Sequence, residues 1–289
     1  MYFTFAFWCK PLKNKRFDHS TYENIMLYHA MSNAFLKYLG QKTCLMADKE
    51  GVELLSFIDY DKVVILEELD RDDLNFLFSA MPKFYALQHM SLEDVLIDYD
   101  LFIYKPQTLE LLANKDCDMI YSFYEGTDMP NCSKQSADGH NRCLEILRKY
   151  QDEIEYNIPP NSLDVSYPNT SLMKFNNQEF KDTIVSNYFK HYELLKNEDF
   201  SNCTWPDVYI EQYFLGLEAK KNNYNIIPVV PEYDTDKDKA NHYAIEIGFC
   251  HLGAQKNSTK NMNLNSFYYY DPKRFNTYLN AYNKLVNVK

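Results

Sequence analysis

Glycine is scarce in this chain, with 7 among 289 residues, and no glycine-rich phosphate-binding loop can be drawn from them. No apolar run approaches the ~20 residues that span a bilayer. The apolar start, Met1 to Trp8, lacks both the basic segment and the small-residue cleavage site of a signal peptide. The 7 cysteines, at positions 9, 44, 117, 132, 143, 203 and 250, form no CxxC pair. Several of them fall in apolar stretches, which speaks against a structural zinc site and for reduced, mostly buried thiols in a cytosolic protein. Cations are also in deficit, with 30 Lys and Arg against 41 Asp and Glu and a net charge of −11. That balance argues against nucleic acid as the main partner. A small phosphorylated ligand would need a metal ion or a few well-placed cations to bind here.

Aromatics, by contrast, are abundant, at 16% with 25 Tyr and 19 Phe. Tyrosine seeks water or a hydrogen-bond partner for its hydroxyl, so many of these are expected at surfaces and clefts. Residues 2–8 alternate as a strand does, and residues 21–39 carry apolar groups at helical spacing up to Gly40. Further strands are expected at 43–47, 62–66 (buried), 94–104, 117–124, 165–175, 226–230 and 242–250. Helices are expected at 53–58, 73–89, 142–155, 177–196 and 206–222, and a last one closes the tail. A charged loop is expected at 232–241. Alternating strands and helices with short links imply an α/β fold with a mainly parallel sheet flanked by helices. No repeat or linker interrupts the chain. One domain is therefore expected over residues 1–256, with residues 257–289 as a tail packed on it. Ligands in such sheets sit beyond the carboxyl ends of the strands.

The segment Asp94-Val-Leu-Ile-Asp98-Tyr-Asp100-Leu-Phe-Ile-Tyr-Lys-Pro106 sets two acids inside an apolar run. Residues two apart in a strand share a face, so Asp98 and Asp100 would repel each other unless a cation lies between them. Hard oxygen ligands suit Mn²⁺ or Mg²⁺ bridging a diphosphate. The competing reading is a sheet end whose acids face water or pair with lysine.

Three later segments bear on that choice: Asn169-Thr-Ser-Leu-Met-Lys-Phe175, Glu211-Gln212 and His251-Leu-Gly-Ala-Gln-Lys256. With Asp98-Tyr-Asp100 they resemble, in order, four motifs of the retaining glycosyltransferases that include glycogenin and the bacterial lipopolysaccharide galactosyl- and glucosyltransferases. The chain is also similar to a looser bacterial group of glycosyltransferase-like proteins with an acidic DxDxFLxKP strand, whose substrates are mostly unassigned. The resemblance covers roughly residues 1–256 and implies a GT-A-type fold.

It further implies a metal held by Asp98, Asp100 and His251. Gly253 would let the backbone approach the diphosphate, and Lys256 would neutralise its charge. Asn169 and Gln212 would meet the sugar or the reacting face. Phe7, Trp8, Asp48, Lys83 and Tyr99 fall where donor contacts are expected: stacking on the base for Phe7 and Trp8, an acid for base or ribose for Asp48, and a cation near the sugar for Lys83. Core packing is the plain alternative for Phe7, and a solvated lysine for Lys83. Two departures stand out, Asn-Thr-Ser where the family has Asn-Ser-Gly, and Ala-Gln where it usually has Gly-Pro.

The activity so implied is metal-dependent transfer of a hexose from a nucleotide-diphosphate sugar, UDP-linked, to a glycan or lipid-linked acceptor with retention. The location implied is cytoplasmic, compatible with peripheral attachment at the inner face of a membrane. The alternatives are a nucleotide-sugar-binding protein of the same fold that has lost catalysis, and a metal-dependent phosphohydrolase or nucleotidyltransferase. Against the last, no further cluster of acids suits a two-metal site.

Overall fold

A computed structural model describes residues 1–13, 22–126, 134–158, 160, 166–201, 203, 206–231, 236–252, 265, 267–269 and 271–287. The first half runs β1 (Phe3–Phe7), α1 (Cys9–Lys13), α2 (Tyr22–Tyr38), β2 (Thr43–Ala47), α3 (Lys49–Leu54), β3 (Lys62–Ile65), α4 (Met81–His89), β4 (Val95–Ile97), β5 (Leu101–Ile103), α5 (Pro106–Leu112) and β6 (Met119–Gly126). Then come α6 (Lys134–Arg148), α7 (Gln151–Ile154), β7 (Ser166–Pro168), β8 (Leu172–Phe175), α8 (Gln178–Leu195), a π-helical stretch (Val208–Tyr213) and α9 (Phe214–Lys221). The rest is β9 (Ile226–Val230), α10 (Lys237–Ile247), β10 (Phe249–His251) and α11 (Pro272–Asn287).

The fold is α/β, with a mostly parallel mixed sheet in the order β3-β2-β1-β4-β8-β6-β7, and β9 alongside β6. β3, β2, β1 and β4 are parallel neighbours, and β8 runs antiparallel to both β4 and β6. The order grows outward from β1 to β2 and β3, then restarts at β4 on the other side of β1. That reversal makes a crevice at the carboxyl ends of β1 and β4, the place where open α/β sheets bind ligands.

Side-chain alternation divides the strands between two apolar layers. Phe3, Phe5 and Phe7 of β1, Leu45 of β2 and Ile97 of β4 face a layer that includes Leu27, Tyr28 and Met31 of α2 and Tyr278 of α11. Met46 of β2, Leu96 of β4 and Met173 of β8 face the other, built from α4, α6, α8 and α9. α2 is buried almost all round from Ile25 to Leu36, because β5 and α11 also pack against it.

Several expected elements are corrected. The strand expected at 62–66 is β3, an edge strand rather than a buried one, and Val63 and Ile65 are each 48% exposed. Within the expected helix 73–89 only Met81–His89 is helical. Pro82 opens that helix, and the Asn75 side chain turns the chain before it by accepting from the Leu77 amide at 3.0 Å. The helix placed at 53–58 begins earlier, at Lys49, because Asp48 caps it. The expected helix 142–155 starts at Lys134 and divides, with α7 ended by Glu155 at φ 64°.

The largest error falls at 242–250, where the alternation of Tyr243, Ile245 and Ile247 suggests a strand. The segment is helical to Ile247, and Ala240 and Ile247 are buried while Ile245 is 62% exposed, which is helical spacing. Asp236 caps its start through the Lys239 amide at 3.0 Å. Gly248 ends it at φ 77°, where a Cβ would run into Lys105. The Lys105 ammonium in turn donates to the carbonyls of Ile245 and Glu246 at 2.8 and 3.1 Å, complementing the negative end of the helix. Only then does the short strand β10 follow.

Candidate metal centre at the sheet crevice

The acidic pair is not in a strand. β4 ends at Ile97 and β5 begins at Leu101, so Asp98, Tyr99 and Asp100 form the turn between them, with the Leu101 amide donating to the Asp98 carbonyl at 3.1 Å. The two carboxylates therefore converge through turn geometry and not through a shared strand face. The Asn169-Thr-Ser motif is likewise a turn, between β7 and β8. The Asp98 amide donates to the Ser171 carbonyl at 2.7 Å, which locks the two turns together. Ile97 pairs with Leu172, so the reversed direction of β8 brings its start beside the end of β4.

β10 pairs antiparallel with β5, and His251 stands opposite Leu101. One ligand atom each from Asp98, Asp100 and His251 lies within 4.8 Å of the other two. Asp100 is 2% exposed, and His251 Nε2 is 3.6 Å from its Oδ2. Two carboxylates and an imidazole at this spacing can hold a metal ion. A cation also answers the cost of placing like charges together in a buried position.

Beside this cluster lies an ion-pair network. Lys83 of α4 reaches Asp98 Oδ1 at 2.9 Å and Glu211 Oε1 at 2.7 Å, and donates to the Thr170 carbonyl at 3.3 Å. The Thr170 hydroxyl donates to the same Glu211 carboxylate. Burial alone would lower the Lys83 ammonium, but the Asp98 and Glu211 carboxylates outweigh it and hold it above the usual lysine range. Burial lifts the Glu211 carboxyl above its ordinary value, and Lys83 offsets only part of that. Lys83 is thus no solvated lysine. Glu211 and Gln212 sit on the π-helical stretch, an irregularity often found at functional sites. The Gln212 amide oxygen is buried with no hydrogen-bond partner among the described residues.

Asn169 is 6% exposed and has both ends of its amide engaged. Its Oδ1 accepts from the Ser171 amide at 3.0 Å, and its Nδ2 donates to Glu125 Oε2 at 3.0 Å. Glu125, near the end of β6, is therefore part of the same arrangement. It escapes a motif search because no neighbour in sequence marks it.

The donor-contact residues fare unevenly. Phe7 and Trp8 are 6% and 3% exposed. Phe7 meets the His29 ring edge-on at 5.4 Å, and Trp8 Nε1 donates to the Leu69 carbonyl at 3.1 Å, so both serve the core. Tyr99 is half-buried and stacks on His29 at 5.0 Å and 17°. Burial pushes the His29 imidazole down to about 3, so the ring beneath the acidic turn is neutral. Gly253 and Lys256 lie outside the described residues.

Asp48 is 4% exposed at the start of α3, where it accepts from the amides of Cys9 and Gly51, each at 3.1 Å. It pins the end of β1 to α3 as an N-cap. Burial raises its carboxyl from 3.8 to about 6 despite those two bonds. Between these values the folded chain binds more protons than the unfolded one, so stability falls as pH rises through that window and levels off above it. The expected loss is ~3 kcal/mol at 1.36 kcal/mol per unit. Asp48→Asn keeps the cap and removes the charge. Urea unfolding across pH 4 to 7 is expected to show the slope flattened in the variant, and an unchanged slope would contradict this assignment.

Fold and site together define an open α/β protein with a carboxylate–imidazole cluster, able to hold a metal ion, at the switch point of its sheet. Set against protein-family models, curated proteins and solved structures, the chain matches none of them. No helix among the described residues is long and apolar enough to cross a membrane.

Proposed function

We propose that this chain is a metal-dependent glycosyltransferase. It moves a hexose from a nucleotide-diphosphate sugar, UDP-linked, to a hydroxyl of a glycan or lipid-linked acceptor, with retention at the anomeric carbon. The observation that carries this reading is the convergence of Asp98, Asp100 and His251 beside Lys83 at the crevice of the sheet. The order of the resembling motifs supports it, and the strand arrangement is compatible with a GT-A-type fold.

Asp98, Asp100 and His251 would hold Mn²⁺ or Mg²⁺. When bound, such an ion neutralises charge on the departing diphosphate. Lys83, held by Glu211, keeps a positive charge next to the place where the donor sugar would lie. Asn169, fixed by Glu125 and by the Ser171 amide, presents a set orientation to sugar hydroxyls. Gln212 offers a buried acceptor oxygen to a donor group on the ligand. No nucleophile is required if the leaving phosphate oxygen takes the proton of the acceptor hydroxyl.

The test is calorimetric titration of UDP, GDP and CDP with and without Mn²⁺, on the unaltered chain and on Asp98→Asn/Asp100→Asn. Metal-dependent binding of one nucleotide, lost in the variant, is the expected result. No nucleotide binding by the folded, metal-loaded chain would overturn the proposal.

A further inference from the structure

One of the two acids in the metal cluster already has a cation of the protein's own. The Lys83 ammonium lies 2.9 Å from Asp98 Oδ1, whereas the acid deeper in the cluster, Asp100, faces His251. Asp98 is the more open of the two, with a side chain 27% exposed against 3% for Asp100. An ammonium has three donors, and Lys83 meets an acceptor for each. Besides Asp98 these are Glu211 Oε1 at 2.7 Å and the Thr170 carbonyl at 3.3 Å, neither of which belongs to the candidate metal ligands.

The contact between Lys83 and Asp98 can open while both of its ends stay in place. Glu211 is fixed by burial, at 6% side-chain exposure, and by the hydroxyl of Thr170, so it keeps hold of Lys83. Asp98 is fixed by its backbone. Its amide donates to the Ser171 carbonyl at 2.7 Å, and its carbonyl accepts from the Leu101 amide at 3.1 Å. A divalent ion bound to Asp98 would repel an ammonium on the same carboxylate, and partial burial leaves that repulsion weakly screened.

We propose that Lys83 is an internal counter-ion of Asp98 that a divalent metal ion has to displace, and that Glu211 is the acceptor on which it then rests. In the metal-free protein this contact compensates one of the two like charges, so the acidic turn is stable before an ion arrives. The same contact holds the affinity for the metal alone below what Asp98, Asp100 and His251 would give unopposed. Lys83 and Glu211 thus set the metal affinity of the site without being ligands to the metal. The inference rests on the metal site proposed above and not on sugar transfer.

Calorimetry with Mn²⁺ alone on the full chain tests this through two variants whose expected effects have opposite sign. Lys83→Met/Glu211→Gln removes one positive and one negative charge together, so the net charge of the site is kept while the contact to Asp98 is lost. It is expected to bind Mn²⁺ about 10-fold more tightly than the unaltered chain. In Glu211→Gln alone, Lys83 loses its alternative acceptor and stays on Asp98, and binding is expected to weaken about 5-fold. Thermal unfolding curves show whether each variant is folded. A lysine that merely supports the site would weaken binding in both variants, so unchanged or weaker binding by the folded double variant overturns the counter-ion. Unchanged binding in Glu211→Gln overturns the part given to Glu211. If neither the unaltered chain nor the folded double variant binds Mn²⁺, the metal site itself falls, and this inference with it.

Discussion

His251→Ala is expected to weaken Mn²⁺ binding by more than ~100-fold while leaving the fold intact. Residues that merely stand behind metal ligands are worth ~10–100-fold in affinity. Removing one of three protein ligands should exceed that. The fold is expected to survive because β10 is held to β5 by backbone pairing and by the buried Phe249, neither of which needs the imidazole. The ring's neighbour Phe123, 6.0 Å away, loses only part of one packing contact. Calorimetry with Mn²⁺ alone, accompanied by a thermal unfolding curve, separates the two effects. Affinity within twofold of the unaltered chain would remove His251 from the metal site and leave two acids in search of another partner.

Lys83→Met is expected to be the most destabilising single substitution near the site. The Lys83 and Glu211 side chains are 14% and 6% exposed, so the substitution strands a carboxylate in the interior. Breaking a buried pair in this way costs ~3–5 kcal/mol. The loss should depend on pH with a definite sign. Burial already raises the Glu211 carboxyl, and without the ammonium it rises further. The folded variant then holds a proton that the unfolded chain releases near the ordinary glutamate value, so stability falls as pH climbs through that interval. Acidification is therefore expected to restore part of the loss. Adding Glu211→Gln should restore most of it at neutral pH, because the stranded charge is gone. A pH-independent loss, with no recovery in the double variant, would mean that Lys83 acts through packing of its alkyl stem.

The expected elements survive where local pattern and tertiary burial agree. β1, β2, α2, α8 and β9 fall within about a residue or two of their expected limits, because their periodicity is the periodicity of the two apolar layers. Failure follows a common form. At 94–104 and 165–175 the composition of a strand continues through a turn, since the turn residues are themselves flanked by buried strand ends. At 242–250 the same residues satisfy both a period of two and a period of 3.6. The capping pair Asp236 and Gly248, together with the close approach of Lys105, decides for the helix. Trp8 and Phe7, set by sequence where a base would stack, are taken by the core because they flank the end of the central strand β1.

By itself the sequence determined the α/β class, the two-layer core and the presence of a costly acidic pair at Asp98 and Asp100. These are properties of patterning and of the price of charge in apolar surroundings, both of which act locally. The motif resemblance set His251 beside that pair, and tertiary structure alone decided that Lys83 pairs with Asp98 and is shared with Glu211. His251 arrives through the β5–β10 ribbon and Lys83 through α4, and Glu211 on the π-helical stretch, 128 residues from Lys83 in the chain, holds that lysine in place. The same holds for Asp48, turned inward as a cap, and for Glu125, coupled to Asn169 across the turn. Electrostatic compensation depends on distance in space and falls off within a few ångströms. No spacing along the sequence encodes it until the sheet order has brought those segments to one edge.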